Sequence, residues 1–317
     1  MGNLDRRTVL RGAALAAAGV AVTATGGRVT RAAAVPDDKL FDISLAQWSL
    51  NRQFFGRPGV EKLDPLNFAT ISKNECGIEA VEYVNQFYKD VVNQAGYVEK
   101  LKKQADDAGV KSLLIMCDGE GNLGDPSAEK RKTAVKNHVK WLEWAKHLGC
   151  HSIRVNAASD GKLSYDEQQK LAADGLRNLC ETADPFGLNV IVENHGGMSS
   201  HGRWLRGVME MVDHPRVGTL PDFGNFHISR GGDSPLEYDR YLGTYELMPF
   251  AKGVSAKSHD FNDAGEEIHT DFKRMLKIVV DSGFKGFVGV EFEGGGDSFK
   301  GIAATKALLE KVRNELS

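Results

Sequence analysis

Cysteine is scarce in this chain, with 4 in 317 residues, and Cys76, Cys117, Cys150 and Cys180 form no C-x-x-C pair. That excludes a metal or redox site built on this spacing and leaves core thiols as the reading, although an oxidising compartment would let two of them pair. Excess positive charge is missing as well. The net charge is -3, and five Arg with one Asp among the first 34 residues leave the remainder near -7, which argues against a nucleic-acid partner. The most apolar run, residues 12–24, is too short for a comfortable membrane span. No G-x-G-x-x-G follows the first predicted strand, which removes the best argument for an open dinucleotide-binding sheet. There is no second domain, low-complexity tract or sequence repeat.

What is present is an ordinary soluble composition, 41% hydrophobic and 26% charged, long enough for one large domain with a full core. Ahead of it, Asp5-Arg6-Arg7-Thr8-Val9-Leu10-Arg11 precedes an alanine-rich stretch, and Ala32-Ala33-Ala34 supplies small residues for cleavage. This segment resembles a twin-arginine export signal over residues 1–34. The resemblance implies a periplasmic mature chain, 35–317, without a stable membrane span once the signal is removed. Because that route carries folded proteins, it also gives slight support for a metal loaded before export.

Behind the signal, apolar periodicity predicts strands at 40–46, 78–83, 110–116, 151–155, 188–192, 217–220, 252–257 and 286–290. Between and after them, helical spacing predicts helices at 64–76, 97–108, 130–148, 165–183, 204–212, 236–248, 271–282 and 302–316. Strict alternation of this kind implies parallel strands joined by right-handed crossovers. Eight units fit closure, so the predicted class is α/β, a (β/α)8 TIM barrel.

The strand ends carry the chemistry. Residues 188–192 form a buried apolar run that stops on Glu193, a charge that needs a partner. An acid at the C-terminal end of a barrel strand reads either as active-site chemistry or as a rim carboxylate paired with a neighbour. The sixth strand leads into Pro221-Asp222-Phe223-Gly224-Asn225, the seventh into Ser255-Ala256-Lys257-Ser258-His259, and the eighth into Glu291-Phe292-Glu293. Glu193, Asp222 and Glu291 would then converge, and three carboxylates together demand protons or a cation among them. Three carboxylates plus an imidazole would suit one divalent metal ion, Mn2+, Mg2+, Co2+ or Zn2+.

Those four segments, Val192-Glu193-Asn194-His195-Gly196, Pro221 to Asn225, Val254 to Lys257 and Gly289-Val290-Glu291-Phe292-Glu293-Gly294, resemble the xylose isomerase-like barrel superfamily. The resemblance implies a metal held by Glu193, Asp222, Glu291 and a histidine from the seventh strand. Here the chain departs from the family, with Ser255-Ala256-Lys257 where many members have His-x-Lys. His259 is the nearest substitute and is taken as the fourth ligand, with His227 its rival.

By the same resemblance the chain is a sugar isomerase or epimerase that moves a proton next to a carbonyl through an enediolate. Glu193 and Glu291 would serve as ligands and proton carriers, and Lys257 as oxyanion stabiliser or base, or else as a salt-bridged lysine. His195, His227, Trp48, Tyr83 and Glu293 are candidate carbohydrate contacts. Trp204 is weighed with the aromatics, whose alternative is ordinary packing at the barrel mouth. A lyase or hydrolase acting on oxidised sugars or glycosides would use the same acids, and a non-catalytic sugar-binding barrel is the third class. The partner is a small carbohydrate, with a homo-oligomer possible.

Overall fold

The computed structural model describes residues 39–231 and 235–317. The export-signal reading of residues 1–34 lies outside the described residues. Eight strands alternate with helices: β1 (Asp42–Ala46), β2 (Ala80–Val84), β3 (Lys111–Met116), β4 (Ser152–Val155), β5 (Asn189–Glu193), β6 (Val217–Leu220), β7 (Val254–Ser258) and β8 (Phe287–Phe292). Every ladder between them is parallel, running from β6 through β1 and on to β8 and β7. Between β7 and β6 the ring closes through two parallel bridges, Thr219 to Ala251 and Asp222 to Ser255. There Ser255 N–H donates to Pro221 O at 2.9 Å and Phe223 N–H to Ser255 O at 3.1 Å. The predicted TIM barrel is the fold.

The crossover helices are α1 (Phe68–Cys76), α2 (Tyr97–Ala108), α3 (Ala128–Leu148), α4 (Tyr165–Ala183), α5 (Gly202–Val212), α6 (Arg240–Leu247), α7 (Phe272–Asp281) and α8 (Ser298–Leu316). Their ends follow local chemistry. Ser164 and Glu167 form a reciprocal capping box at α4, and Gly149 closes α3 with φ at 80°, a left-handed position that glycine adopts without steric cost. The structure shortens the sixth predicted helix. Leu236–Glu237 pairs with His227–Ser229 in a small antiparallel ribbon, and Asp239 then caps α6 by accepting from Leu242 N–H. The eighth helix starts earlier than predicted because Asp297 caps it, accepting from the amides of Phe299 and Lys300. Among the described residues no helix is long and apolar enough to cross a membrane.

Strand alternation sorts side chains into two layers. Leu45, Val81, Tyr83, Ile153, Val155, Val190, Val192, Val254, Ala256, Val288 and Val290 pack outward in one large core with the helices. Ala46, Val84, Leu114, Met116, Ile191 and Leu220 fill the barrel interior. The inward parity of each strand therefore places Ser44, Glu82, Arg154, Glu193, Ser255, Lys257 and Glu291 inside the ring, and all of them are buried. The four cysteines are free thiols, three of them buried, as expected of core residues.

Candidate active site

Glu193 ends β5 with no exposed surface. Its Oε1 accepts from Asn225 Nδ2 at 2.8 Å, and its Oε2 lies 2.7 Å from Arg154 Nε. Asp222, equally buried, sits in the loop after β6, where its Oδ1 accepts from the amides of Gly224 and Asn225 at 2.8 Å. Asn194 locks that loop, donating to the carbonyls of Asp222 and Asn225 while accepting from Asp222 N–H. Ser255 Oγ stands between the second oxygen of Asp222, at 2.7 Å, and Glu291 Oε2, at 3.0 Å. The carboxylates of Glu193, Asp222 and Glu291 each offer an atom within 4.8 Å of the others. The three acids expected to converge do so.

Two buried cations share the space. Lys257 Nζ lies 3.0 Å from Glu291 Oε1, 3.2 Å from Glu293 Oε2 and 3.7 Å from Asp222 Oδ2. Burial pulls its pKa down, but Asp222, Glu291 and Glu293 outweigh burial and hold the ammonium charged. Arg154, which the sequence reading missed, comes from β4 and joins Glu193 to Asp118, donating from Nη1 to Asp118 Oδ1 at 2.7 Å. Burial raises the Asp118 pKa, yet the guanidinium wins and keeps this carboxyl well below the usual range. Glu82, also missed, projects inward from β2. Its Oε1 accepts from Ser44 Oγ at 2.6 Å, while its buried Oε2 has no hydrogen-bond partner. Gly289 faces it, and any Cβ there would come within 2.7 Å of the Glu82 carboxylate.

Negative charge remains in surplus: among the described residues, the buried cations facing Glu82, Asp118, Glu193, Asp222, Glu291 and Glu293 are Arg154 and Lys257. Burial, with neighbouring carboxylates adding to it, pushes Glu193 and Asp222 up to about 7. Glu82 rises to about 7 mainly through burial. Such a ring takes up protons or a cation. Three converging carboxylates, with the unpartnered Glu82 oxygen nearby, fit a divalent ion, and Glu193, Asp222 and Glu291 are the residues able to hold it.

The remaining candidates divide. The structure does not bring His259, expected as the fourth ligand, into the cluster: its Nε2 lies 4.0 Å from Glu293 and its ring meets His269 edge-on. The reason is positional, since it lies beyond the end of β7 and past the inward-facing Lys257. Its rival His227 sits on the antiparallel ribbon, 3.9 Å from Glu237 and outside the cluster. Tyr83 faces outward, fully buried, with its hydroxyl on Ser112 Oγ, so it is a packing residue and not a pocket wall. Trp204 is likewise core, donating from Nε1 to Tyr165 O at 3.0 Å. Trp48 does reach the rim, where its Nε1 donates to Glu293 Oε1. Glu293 is thus held between Trp48 and Lys257, and the opposing lysine lowers its pKa against the pull of burial.

His195 lines a cleft of about 480 Å³ with Ala157, Ala158, Met198 and Ile228. Burial, then Arg154 and Lys257, disfavours its charged form. The ring therefore stands neutral at the mouth, next to the charged interior.

A family model described as xylose isomerase-like TIM barrel matches residues 73–314. Among relatives, a mouse protein named putative hydroxypyruvate isomerase is 22% identical over 233 residues, spanning 67% of this chain and 81% of its own. An inosose dehydratase of Clostridium botulinum is 22% identical over 251 residues, spanning 69% and 78%. The 3-keto-D-glucoside 4-epimerase of E. coli superposes with a TM-score of 0.63 at 18% identity, covering 86% of this chain and 99% of that one. The IOLI protein with a bound zinc atom gives 0.67 at 14%, covering 86% and 98%. These structural likenesses concern the fold. With most of its length matched by the family model, the chain belongs to the xylose isomerase-like TIM barrel family.

Proposed function

We propose that this barrel is a carbohydrate isomerase or epimerase that moves a proton at the carbon beside a carbonyl, through an enediolate. The observation that carries the reading is the convergence of Glu193, Asp222 and Glu291, buried, with Lys257 among them. Isomerase, epimerase and dehydratase activities named for the relatives agree with it. A divalent ion held by Glu193, Asp222 and Glu291 would supply the fixed positive charge that favours an enediolate over the parent carbonyl.

The chain's own groups supply the rest. Glu193 and Glu291 come from non-adjacent strands, so they address the substrate carbon from different sides, one removing the proton and the other returning it. A carboxyl pushed up to about 7 is suited to that exchange near neutral pH. Arg154 fixes the Glu193 carboxylate, and Asn225 fixes its other oxygen. Lys257 stabilises negative charge developing on a substrate oxygen, and the neutral His195 meets a hydroxyl at the mouth. Trp48 and Glu293 bound the opposite rim.

A dehydratase or other lyase reading uses the same first step, with a leaving group expelled where the epimerase returns the proton. The cleft beside His195 favours keeping it, because about 480 Å³ is room for more than the reacting carbons of a small sugar. Export by the twin-arginine route belongs to the same proposal, resting on Arg6 and Arg7.

The test is solvent hydrogen exchange. Ketoses and 3-keto glycosides are incubated with the purified chain in deuterated water, with and without Mn2+, and deuterium at the carbon beside the carbonyl is followed by NMR. Exchange in wild type that falls about 10²–10⁴-fold in Glu193→Gln or Glu291→Gln supports the reading. Exchange indifferent to both substitutions sinks it.

A further inference from the structure

The oxygens of the carboxylate trio already face protein donors or cations, with Ser255 shared between two of the acids. Glu193 is met by Asn225 and Arg154, Asp222 by two backbone amides and Ser255, and Glu291 by Ser255 and Lys257. An ion drawn to the three acids would meet the cations already placed on them. Arg154 is anchored at its far end by Asp118, and the amides and Asn225 are held by the loop that Asn194 locks. Lys257 is different. Its ammonium touches Glu291 and Asp222 of the trio and also Glu293 outside it. Glu293 is held by Trp48 and is partly open to solvent, with 30% of its side chain exposed. The lysine stem runs over Gly224, where a Cβ would lie only 3.0 Å from Lys257 Cδ, so glycine leaves the stem its path.

We propose that Lys257 is the site's resident cation and exchanges with a divalent ion. Its ammonium draws Asp222 and Glu291 together when no ion is bound. When an ion takes those carboxylates, the ammonium retires onto Glu293, its second seat. The ammonium and the ion would sit on the same two carboxylates, Asp222 and Glu291, and their repulsion in a low-dielectric interior makes them compete for those oxygens. Glu293 sets how easily the lysine yields. This inference rests on the metal-dependent reading above and concerns how this chain controls occupancy of the same site.

The experiment measures Mn2+ binding to the full chain, stripped with chelator, by electron paramagnetic resonance of free Mn2+ and by calorimetry. Wild type is compared with Lys257→Met, Glu293→Gln and Glu193→Gln at one pH and ionic strength, and circular dichroism confirms that each is folded. Lys257→Met should tighten binding by at least about tenfold, and Glu293→Gln should weaken it by about fivefold or more, since the lysine then has nowhere else to go. Glu193→Gln should abolish it. Lys257→Gln is a second variant of the same charge change if the methionine does not fold.

Wild-type binding that is unchanged or weakened on removing the lysine overturns the exchange while leaving the metal reading intact. Unaltered affinity in Glu293→Gln removes Glu293 as the second seat. No Mn2+ binding in wild type or in either Lys257 variant overturns both the exchange and the metal-dependent reading.

Discussion

Arg154 Nε lies 2.7 Å from Glu193 Oε2, and the same guanidinium donates from Nη1 to Asp118 at 2.7 Å. One buried cation thus fixes a candidate catalytic carboxylate at one end and is itself anchored at the other. Removing it leaves the buried Glu193 and the partly buried Asp118 without their shared cation. Arg154→Met is expected to cost about 3–5 kcal/mol of stability, read by denaturant unfolding. Adding Asp118→Asn to that variant should recover part of the loss, because one of the stranded charges is gone. Equal stability of Arg154→Met and wild type would show that the guanidinium organises nothing.

Glu82 makes a prediction of opposite sign. Burial lifts its carboxyl from an ordinary 4.5 to about 7 in the fold. At pH below both values folded and unfolded chains hold the proton equally, and this group costs nothing. Between them the folded chain keeps a proton that the unfolded chain has lost, so its contribution to stability falls as pH rises and the full penalty is reached above about 7. The penalty is at most about 3 kcal/mol. Glu82→Gln should flatten this part of the stability-against-pH curve and stabilise the ion-free chain above neutrality, as measured by thermal unfolding across a pH series. A variant with the wild-type slope would refute it.

The strand order and the meeting of Glu193, Asp222 and Glu291 were legible because each acid ends an apolar run and eight such runs recur. Glu82 and Arg154 were missed although the same alternation marks them: Val81-Glu82-Tyr83 and Ile153-Arg154-Val155 each set one charge between two apolar residues. In a barrel the apolar neighbours face the helices, so the charge must face inward. Read that way, the sequence places Glu82 in the ring and Tyr83 outside it. His259 stands apart from the cluster because it lies beyond the end of β7, past Lys257. The ribbon at His227–Ser229 left no comparable signal, since its strands are 3 and 2 residues long.

Trp48 and Tyr83 separate rim from core by experiment. Tyr83→Phe removes a hydroxyl bonded to Ser112 on the outer face of the barrel, so it should cost about 1 kcal/mol of stability and leave kcat/KM within about twofold. Trp48→Phe removes the donor to Glu293, so it should raise KM for the carbohydrate with little change in melting temperature. Reversal of the two outcomes would return Tyr83 to the pocket.

Ser255 stands within hydrogen-bond distance of Asp222 and Glu291, yet a hydroxyl carries a single hydrogen. Both contacts are satisfied at once only if one carboxyl brings its own proton. With Asp222 ionised the hydroxyl donates to it, against the burial that pushes this carboxyl up to about 7. Bonding from Ser255 lowers the Asp222 pKa against burial, so Ser255→Ala should raise it further. The acidic limb of the kcat/KM profile is expected to move to higher pH, with the plateau falling about tenfold or more, while Ser255→Thr, which keeps the hydroxyl, stays near wild type. An alanine variant whose limb stays in place would mean that the hydroxyl only fills space between the two acids.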